Sequence, residues 1–251
     1  MAASTAVSGK TGHIDKRSPH AMAKAHPKPS GDGYHHGDLR AALLAAAEEE
    51  LAEKGIEGFT LRGCARRAGV SHAAPAHHFR DVRALLTEVA AIGFRRLSTS
   101  MAEHAAGIVP GSLDYVIAIG RGYVAFAERH PQSFGLIFSV ASLDCEEPGY
   151  VAAAREAFGF PVRAVGAYHA SDDPMSDPGL AGIVVGLWSL VHGFSALLLA
   201  GQFDKQVGAD RREVAERLVP AMIARYVAGD ARAPSSESKS RRTSRRRSHP
   251  R

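Results

Sequence analysis

The chain has 251 residues, of which 45% are hydrophobic and 23% are charged. This composition is ordinary for a globular protein and the length fits one or two compact domains, so a chain that is disordered throughout is excluded. The two cysteines, Cys64 and Cys145, exclude a disulfide framework and a cysteine-based zinc finger, and they favour a reducing, cytoplasmic compartment.

The net charge of +5 is concentrated at the two ends of the chain. Residues 1–33 carry five basic and two acidic residues, and residues 229–251 carry eight basic and two acidic residues, so the remainder is mildly acidic. Both ends are rich in Ser, Pro, Gly and Ala, and we predict two disordered basic tails. Two interpretations of the C-terminal tail stay open: a solvated segment, or one that contacts phosphates without sequence preference.

Between the tails, apolar residues recur at helical spacing, and no stretch alternates as a half-buried strand does, so we predict an all-α protein. The first helix begins at Asp38, has an apolar stripe that includes Leu39 and Leu51, and ends before Gly55.

The next segment, 60–79, has the spacing of a helix-turn-helix. Thr60 is a candidate N-cap, Gly69 ends the short helix that follows, and Ser71 is expected to cap a third helix. Five arginines and one aspartate lie between residues 58 and 83, so positive charge gathers on this module of an otherwise acidic body.

Six further helices are predicted. They span 81–106, 113–129, 132–139, 149–169 with a bend at Pro161, 180–203 and 210–227.

The residues of the first part resemble the DNA-binding domain of TetR/AcrR-type bacterial regulators. The most specific pieces are Phe59-Thr60, Ala68-Gly69-Val70-Ser71, Phe79 and Leu85-Leu86. The C-terminal half, through 126–138 and 187–199, resembles the branch with a Trp-His-Gly signature, here Trp188, His192 and Gly193. The resemblance implies a three-helix helix-turn-helix DNA-binding domain at 34–83, followed by an all-helical ligand-binding and dimerisation domain at 84–228.

As the resemblance implies, the third helix would enter the major groove of a palindromic operator, and the protein would be a homodimer. The N-terminus of the third helix suits contacts with phosphates or base edges, and Thr60 and Arg62 would contact the DNA backbone. The full set of candidate DNA-binding residues is Thr60, Arg62, Ser71, His72, Ala73, His77, His78, Arg80 and Arg83.

Two positions depart from the family pattern. Ala76 and Val82 stand where the family commonly has a Tyr and a Lys that meet phosphates. We expect His77, His78, Arg80, Arg83 or the tails to compensate.

The aromatic residues of the second domain are candidates for an effector pocket, and ordinary core packing is the alternative for each of them. They are Phe126, Phe134, Phe138, Phe158, Trp188 and His192. Such a lining suggests a small hydrophobic effector, and the resemblance favours a repressor that the effector releases from DNA.

Three rival functions stand beside that of a cytoplasmic regulator. Residues 178–202 contain no Asp, Glu, Lys or Arg and are long enough to span a bilayer, so a membrane-tethered DNA-binding protein is one alternative. The absence of a Ser-His-Asp order, a phosphate loop or an HExxH motif disfavours a helical enzyme, and no catalytic residue or cofactor is expected. The third rival function is non-specific nucleic-acid binding through the tails.

No metal is expected, because the histidines of the motif have no carboxylate or cysteine at ligand spacing.

Overall fold

The structure is a computed structural model that describes residues 36–203 and 211–229, which belong to one compact unit. Every regular element in those ranges is helical, which confirms the predicted all-α class. Eight α-helices lie entirely within the described residues: α1 His36–Lys54, α2 Leu61–Arg67, α3 Val82–Ala105, α4 Leu113–Arg129, α5 Pro131–Ile137, α6 Pro148–His169, α7 Pro178–Leu199 and α8 Arg211–Gly229. The predicted tails lie outside the described residues, apart from Gly229.

Side-chain caps fix the first turns of two of the longer helices. Asp81 accepts a hydrogen bond from the backbone N–H of Ala84 at 2.8 Å, and Ser112 accepts one from Tyr115 at 3.1 Å. Prolines occupy the first positions of α5, α6 and α7, where a missing N–H costs nothing. Relative to the prediction, α1 begins two residues earlier, at His36, and the predicted helix 132–139 ends at Ile137.

Helix α3 lies at the centre of the fold and packs against α1, α4, α5 and α6. Its first half, including Leu85 and Leu86, is buried in the same hydrophobic core as Leu43 of α1. Its second half, including Phe94 and Met101, is buried against the later helices. One continuous helix therefore joins the helix-turn-helix module to the rest of the protein.

Helices α3 and α4 approach each other closely at a glycine. A Cβ atom on Gly122 would lie 2.6 Å from both the Cα of Met101 and the carbonyl oxygen of Ser100, which are backbone atoms that cannot move aside easily. The hydroxyl of Ser100 donates to the carbonyl of Gly122 at 2.8 Å. Only a residue without a side chain allows this crossing.

Helix α7 contains most of the long apolar run. Its inner face is buried by α4, α6 and α8, through residues that include Ile183, Leu187 and Val191. Its outer face leaves Val185 and Leu197 about half exposed, at 52% and 48%. This helix alone among the described helices is long and apolar enough to cross a membrane, and 39% of its most apolar window is buried. It therefore has a face packed into the core and an apolar face that this single chain leaves open.

Candidate DNA-binding surface and effector cavity

Helix α2 starts where the sequence predicted it. The Thr60 side chain accepts a hydrogen bond from the backbone N–H of Gly63 at 3.0 Å, which confirms its role as N-cap. Cys64 and Ala65 are fully buried, whereas Arg62 and Arg66 are exposed. Burial raises the pKa of the Cys64 thiol to about 11, so it stays protonated at neutral pH.

The third helix of the module is shorter than predicted. We expected a helix that Ser71 caps, but the chain forms a single 3-10 turn, Ala74–His77, and the residue before it, Ala73, makes no side-chain capping bond. Pro75 explains the difference: it has no N–H to donate to the Ser71 carbonyl, which accepts from Ala74 at 3.0 Å instead. The element that would read DNA is therefore one tight turn.

The candidate DNA-binding residues share one trait, which is exposure. Eight of the nine are exposed and His78 is half-buried. Several already have intramolecular partners: besides the Thr60 cap, Arg80 forms an ion pair with Asp81 at 3.1 Å, and Arg83 donates to the backbone carbonyl of Leu143. The Arg83 contact turns that guanidinium toward the body of the protein, which weakens its case as a DNA contact.

A buried ion pair fixes α2 against α1. The guanidinium of Arg67 donates to the carboxylate of Glu50 at 2.6 Å, and the Glu50 side chain is only 4% exposed. Arg67 also pairs with Glu53, and Lys54 and Arg67 together lower the pKa of Glu53 to about 2. Arg67 thus serves the packing of the module and is not free for phosphate.

An apolar cavity lies between α3, α4, α6, α7 and α8. The space in it that is open to a water-sized molecule is about 40 Å³. An engineered cavity of about 150 Å³ holds benzene, so an effector could enter only if these helices moved apart. The lining residues are Phe94, Leu97, Met101, Val116, Ile119, Gly120, Tyr123, Ala157, Phe158, Pro161, Ala164, Leu187, Trp188, Val191 and Ile223.

The predicted effector residues divide between this cavity and an adjoining aromatic cluster. Phe158 and Trp188 line the cavity and stack with ring centres 4.5 Å apart. Phe134, Phe138 and His192 do not line it; they pack on one another, with ring centres 4.5–5.5 Å apart. Phe126, which is 1% exposed, is ordinary core and also stands away from the lining.

Tyr123 joins the two groups, and the sequence reasoning missed it. Its ring lines the cavity, and its hydroxyl lies 3.0 Å from the Nδ1 atom of His192. Burial raises the pKa of Tyr123 above its usual range, while a hydrogen bond from Trp188 acts the other way. Burial also lowers the pKa of His192, so both rings are neutral at neutral pH. A polar aromatic residue in the middle of an otherwise apolar helix face was the available signal.

Two family models match the chain. The model for bacterial regulatory proteins of the TetR family matches residues 43–89, and the model for the tetracyclin repressor-like C-terminal domain matches residues 116–222. Together they span more than half of the sequence, in the order the family requires.

The chain belongs to the TetR family. All nine candidate DNA-binding residues lie within the N-terminal match, and all six candidate effector residues lie within the C-terminal match. TetR membership makes the chain a transcription regulator, with a DNA-binding helix-turn-helix and a ligand-binding C-terminal domain.

Solved structures agree with this TetR fold. A protein of unknown function from Rhodococcus sp. RHA1 is 32% identical, with a TM-score of 0.64 over 78% of this chain and 97% of that one. A TetR family regulatory protein from Rhodococcus RHA1 is 19% identical, with a TM-score of 0.56 over 74% and 95% of the two chains. The regulator PfmR from Thermus thermophilus is 15% identical, with a TM-score of 0.51 over 73% and 92%. The last two show likeness of fold alone. No curated protein matches the chain.

Proposed function

We propose that this TetR regulator is a cytoplasmic homodimeric repressor, which binds a palindromic operator and is released by a small hydrophobic effector. The observation that carries the proposal is the path of α3. Its first turns hold the exposed helix-turn-helix module through Leu85 and Leu86, and its later turns line the apolar cavity through Phe94, Leu97 and Met101. A ligand that separates the cavity walls must act on the helix that carries the module.

The exposed chemistry of the module suits a division of labour on DNA. Arg62, at the first turn of α2, is placed to meet phosphates beside the Thr60 cap, which positions the module. Ser71, His72 and Ala73, before the tight turn, are the residues that would contact base edges. Ala76 and Val82 supply no charge at the two positions where the family commonly contacts phosphate.

The open face of α7 supports a dimer. Val185 and Leu197 are half exposed on this face, and Tyr226 of α8 is 38% exposed beside it. An exposed apolar patch of this kind marks an interaction surface in a soluble protein. A second copy of the same chain fits best, since two modules are needed to read a palindrome, with half-sites about 34–36 Å apart.

The Trp-His-Gly signature belongs to the same proposal. Trp188 and His192 both meet the hydroxyl of Tyr123 beside the cavity, while Gly193 has no neighbour within 4 Å of a Cβ atom. This arrangement supports a role of the signature in the effector site, and hence assignment to that branch.

A footprint of the purified full-length protein on the DNA flanking its own gene tests the function. We expect a protected palindrome with two half-sites about one helical turn apart. Coverage without sequence preference would instead assign DNA binding to the basic tails. The absence of any protection would refute the proposed function.

The dimer is tested by sedimentation of the protein. We expect the natural chain to be a dimer, and the double substitution Val185→Glu with Leu197→Glu to yield monomers that no longer protect the operator. Val109→Glu is the matched control, because Val109 is 72% exposed on the connection between α3 and α4. A natural chain that sediments as a monomer would contradict the proposal.

The membrane-tethered alternative makes a separate prediction. Insertion of α7 would withdraw Ile183, Leu187 and Val191 from the core and would expose to water the apolar faces of α4, α6 and α8 that pack against them. We therefore expect the protein in the soluble fraction of broken cells. Recovery in the membrane fraction, resistant to high salt, would favour the tethered form.

A further inference from the structure

The cavity of the effector domain has an apolar lining with a small polar feature. Among the described residues that line it, none carries a charge. Tyr123 and Trp188 are the lining side chains with a polar hydrogen, and they lie within hydrogen-bonding reach of each other. A site of this composition selects a ligand by shape and by one or two hydrogen bonds.

We propose that the cavity recognises an uncharged, mainly apolar ligand through one hydrogen-bond donor, which the Tyr123 hydroxyl oxygen and the backbone carbonyl of Ala157 accept. The inference rests on the proposed function, because it names the chemistry of the effector which that function requires.

The Tyr123 hydroxyl oxygen can accept one more hydrogen bond than its neighbours supply. A phenol can donate one hydrogen bond and accept two. With the hydrogen of the neutral His192 ring on Nε2, the Nδ1 atom accepts the Tyr123 hydrogen across 3.0 Å. The indole N–H of Trp188 lies within hydrogen-bonding reach of the same hydroxyl. One acceptor position of the hydroxyl oxygen is left for a donor that enters the cavity.

The inferred second acceptor is the carbonyl of Ala157, whose usual helical donor is missing at Pro161. Proline has no N–H, so the carbonyl four residues earlier loses its helical donor. Both Ala157 and Pro161 line the cavity, on the stretch of α6 that faces Trp188. A ligand with an O–H or N–H group would therefore meet two acceptors, whereas a ligand with only acceptors would compete with the Tyr123 hydroxyl for the indole hydrogen of Trp188.

The lining also excludes charge. A carboxylate or an ammonium group in this cavity would lose its hydration without gaining an opposite charge, which is far more costly than the loss of a neutral polar group. The ligand class is thus a neutral alcohol, phenol or amide with an apolar body.

Calorimetric titration of the full-length protein with four compounds of similar shape tests the proposal. The probes are para-ethylphenol, which has a donor; para-ethylanisole, which has only an acceptor; ethylbenzene, which has neither; and para-ethylbenzoate, which is charged. We expect the phenol to bind about fivefold to tenfold more tightly than the ether and the hydrocarbon, and the carboxylate to bind about a hundredfold more weakly than the phenol or not at all.

Two variants test whether the preference for the phenol depends on the Tyr123 hydroxyl and the Ala157 carbonyl. Tyr123→Phe removes one acceptor and Pro161→Ala restores a backbone donor to the Ala157 carbonyl, so each should lower the advantage of the phenol over ethylbenzene by about threefold to fivefold. Tyr150→Phe is the matched control, because Tyr150 is also buried and donates to the carbonyl of Ile137 at 3.3 Å, outside the cavity lining. It should leave all four affinities unchanged. Thermal melting of each variant checks that it folds.

Several outcomes would overturn the proposal. They are equal binding of phenol, ether and hydrocarbon; preference for the carboxylate; an undiminished phenol preference in both variants; and no binding of any probe up to its solubility limit. None of these measurements uses DNA, so the operator footprint fails or succeeds independently of them. A chain that protects its operator but ignores the donor would keep the proposed function and lose only this inference.

Discussion

Replacement of Arg67 by methionine should destabilise the protein strongly while leaving the shape of the side chain nearly intact. Arg67 is 18% exposed and pairs at 2.6 Å with Glu50, whose side chain is 4% exposed. Removal of one partner from a buried ion pair leaves the other charge unpaired, which costs about 3–5 kcal/mol when both are fully buried. Since Arg67 retains some solvent contact, we expect a loss of about 2–4 kcal/mol in the free energy of unfolding.

The loss should be visible in thermal unfolding. For a protein of this size, about 1 kcal/mol corresponds to about 2–4 °C in the melting temperature, so Arg67→Met should lower it by about 5–15 °C. Arg66→Met is the matched control, because Arg66 is adjacent in sequence and exposed, and it should change the free energy of unfolding by no more than about 0.5 kcal/mol.

A double-mutant cycle separates the ion pair from simple packing. Glu50→Gln together with Arg67→Met removes both charges, and we expect the double variant to recover part of the stability that Arg67→Met alone loses. If Arg67→Met melts like Arg66→Met, or if the two substitutions at Glu50 and Arg67 are simply additive, then the buried pair does not hold α2 against α1.

Three further predictions concern DNA binding, packing and pH. Arg62→Ala should weaken operator binding with an unchanged melting temperature. It should reduce the slope of log affinity against log salt by about 2, because the dimer loses one phosphate contact in each module; an unchanged slope would remove Arg62 from the phosphate contacts. Gly122→Ala should lower the free energy of unfolding by about 1–3 kcal/mol in denaturant titration, because the new methyl group meets backbone atoms of α3. Gly135→Ala is the control, because a methyl group there enters open space and should not destabilise the protein. Equal stabilities of the two variants would contradict the close approach of α3 and α4. Burial lowers the pKa of His130 and of His192 in the folded state, so the unfolded chain binds more protons as the pH falls below about 6.5. The free energy of unfolding should therefore decrease below that pH, and His192→Gln should make this decrease smaller. Denaturant titration at several pH values measures both effects.

The sequence predicted the elements whose cause is local. Thr60 caps α2 as expected because a cap depends on one side chain and on the backbone three residues later. Helix α4 matches its predicted bounds, 113–129, because a serine cap starts it and Pro131 follows it closely. Positions on the apolar stripe of α1, such as Leu43 and Leu51, are buried for the same reason.

The prediction was wrong where a single residue altered the hydrogen-bond pattern. The histidine-rich segment after Ser71 was predicted as a helix because its residue types and its place in the motif agreed with one. Pro75, in the middle of that segment, removes the donor that an α-helix needs and leaves the turn Ala74–His77. The effect of Pro75 on the helix could have been predicted from its position in the sequence.

Long-range contacts account for what sequence reasoning missed. The pairing of Arg67 with Glu50 joins residues on different helices, and periodicity alone does not reveal which helix faces meet. The same holds for Tyr123, which contacts His192 from 69 residues away. Conversely, Phe134 and Phe138 are aromatic and buried or nearly so, as an effector residue would be, but they belong to the cluster behind the cavity.

The length of α3 gives it the geometry of a lever. Its 24 residues extend about 36 Å, from the module at one end to the cavity at the other. A tilt of about 5° at one end of such a rod displaces the far end by about 3 Å, as much as the full length of a hydrogen bond. In the proposed dimer the two displacements would occur together, so a slight widening around a bound effector would be enough to move both proposed reading elements out of step with the pitch of the duplex.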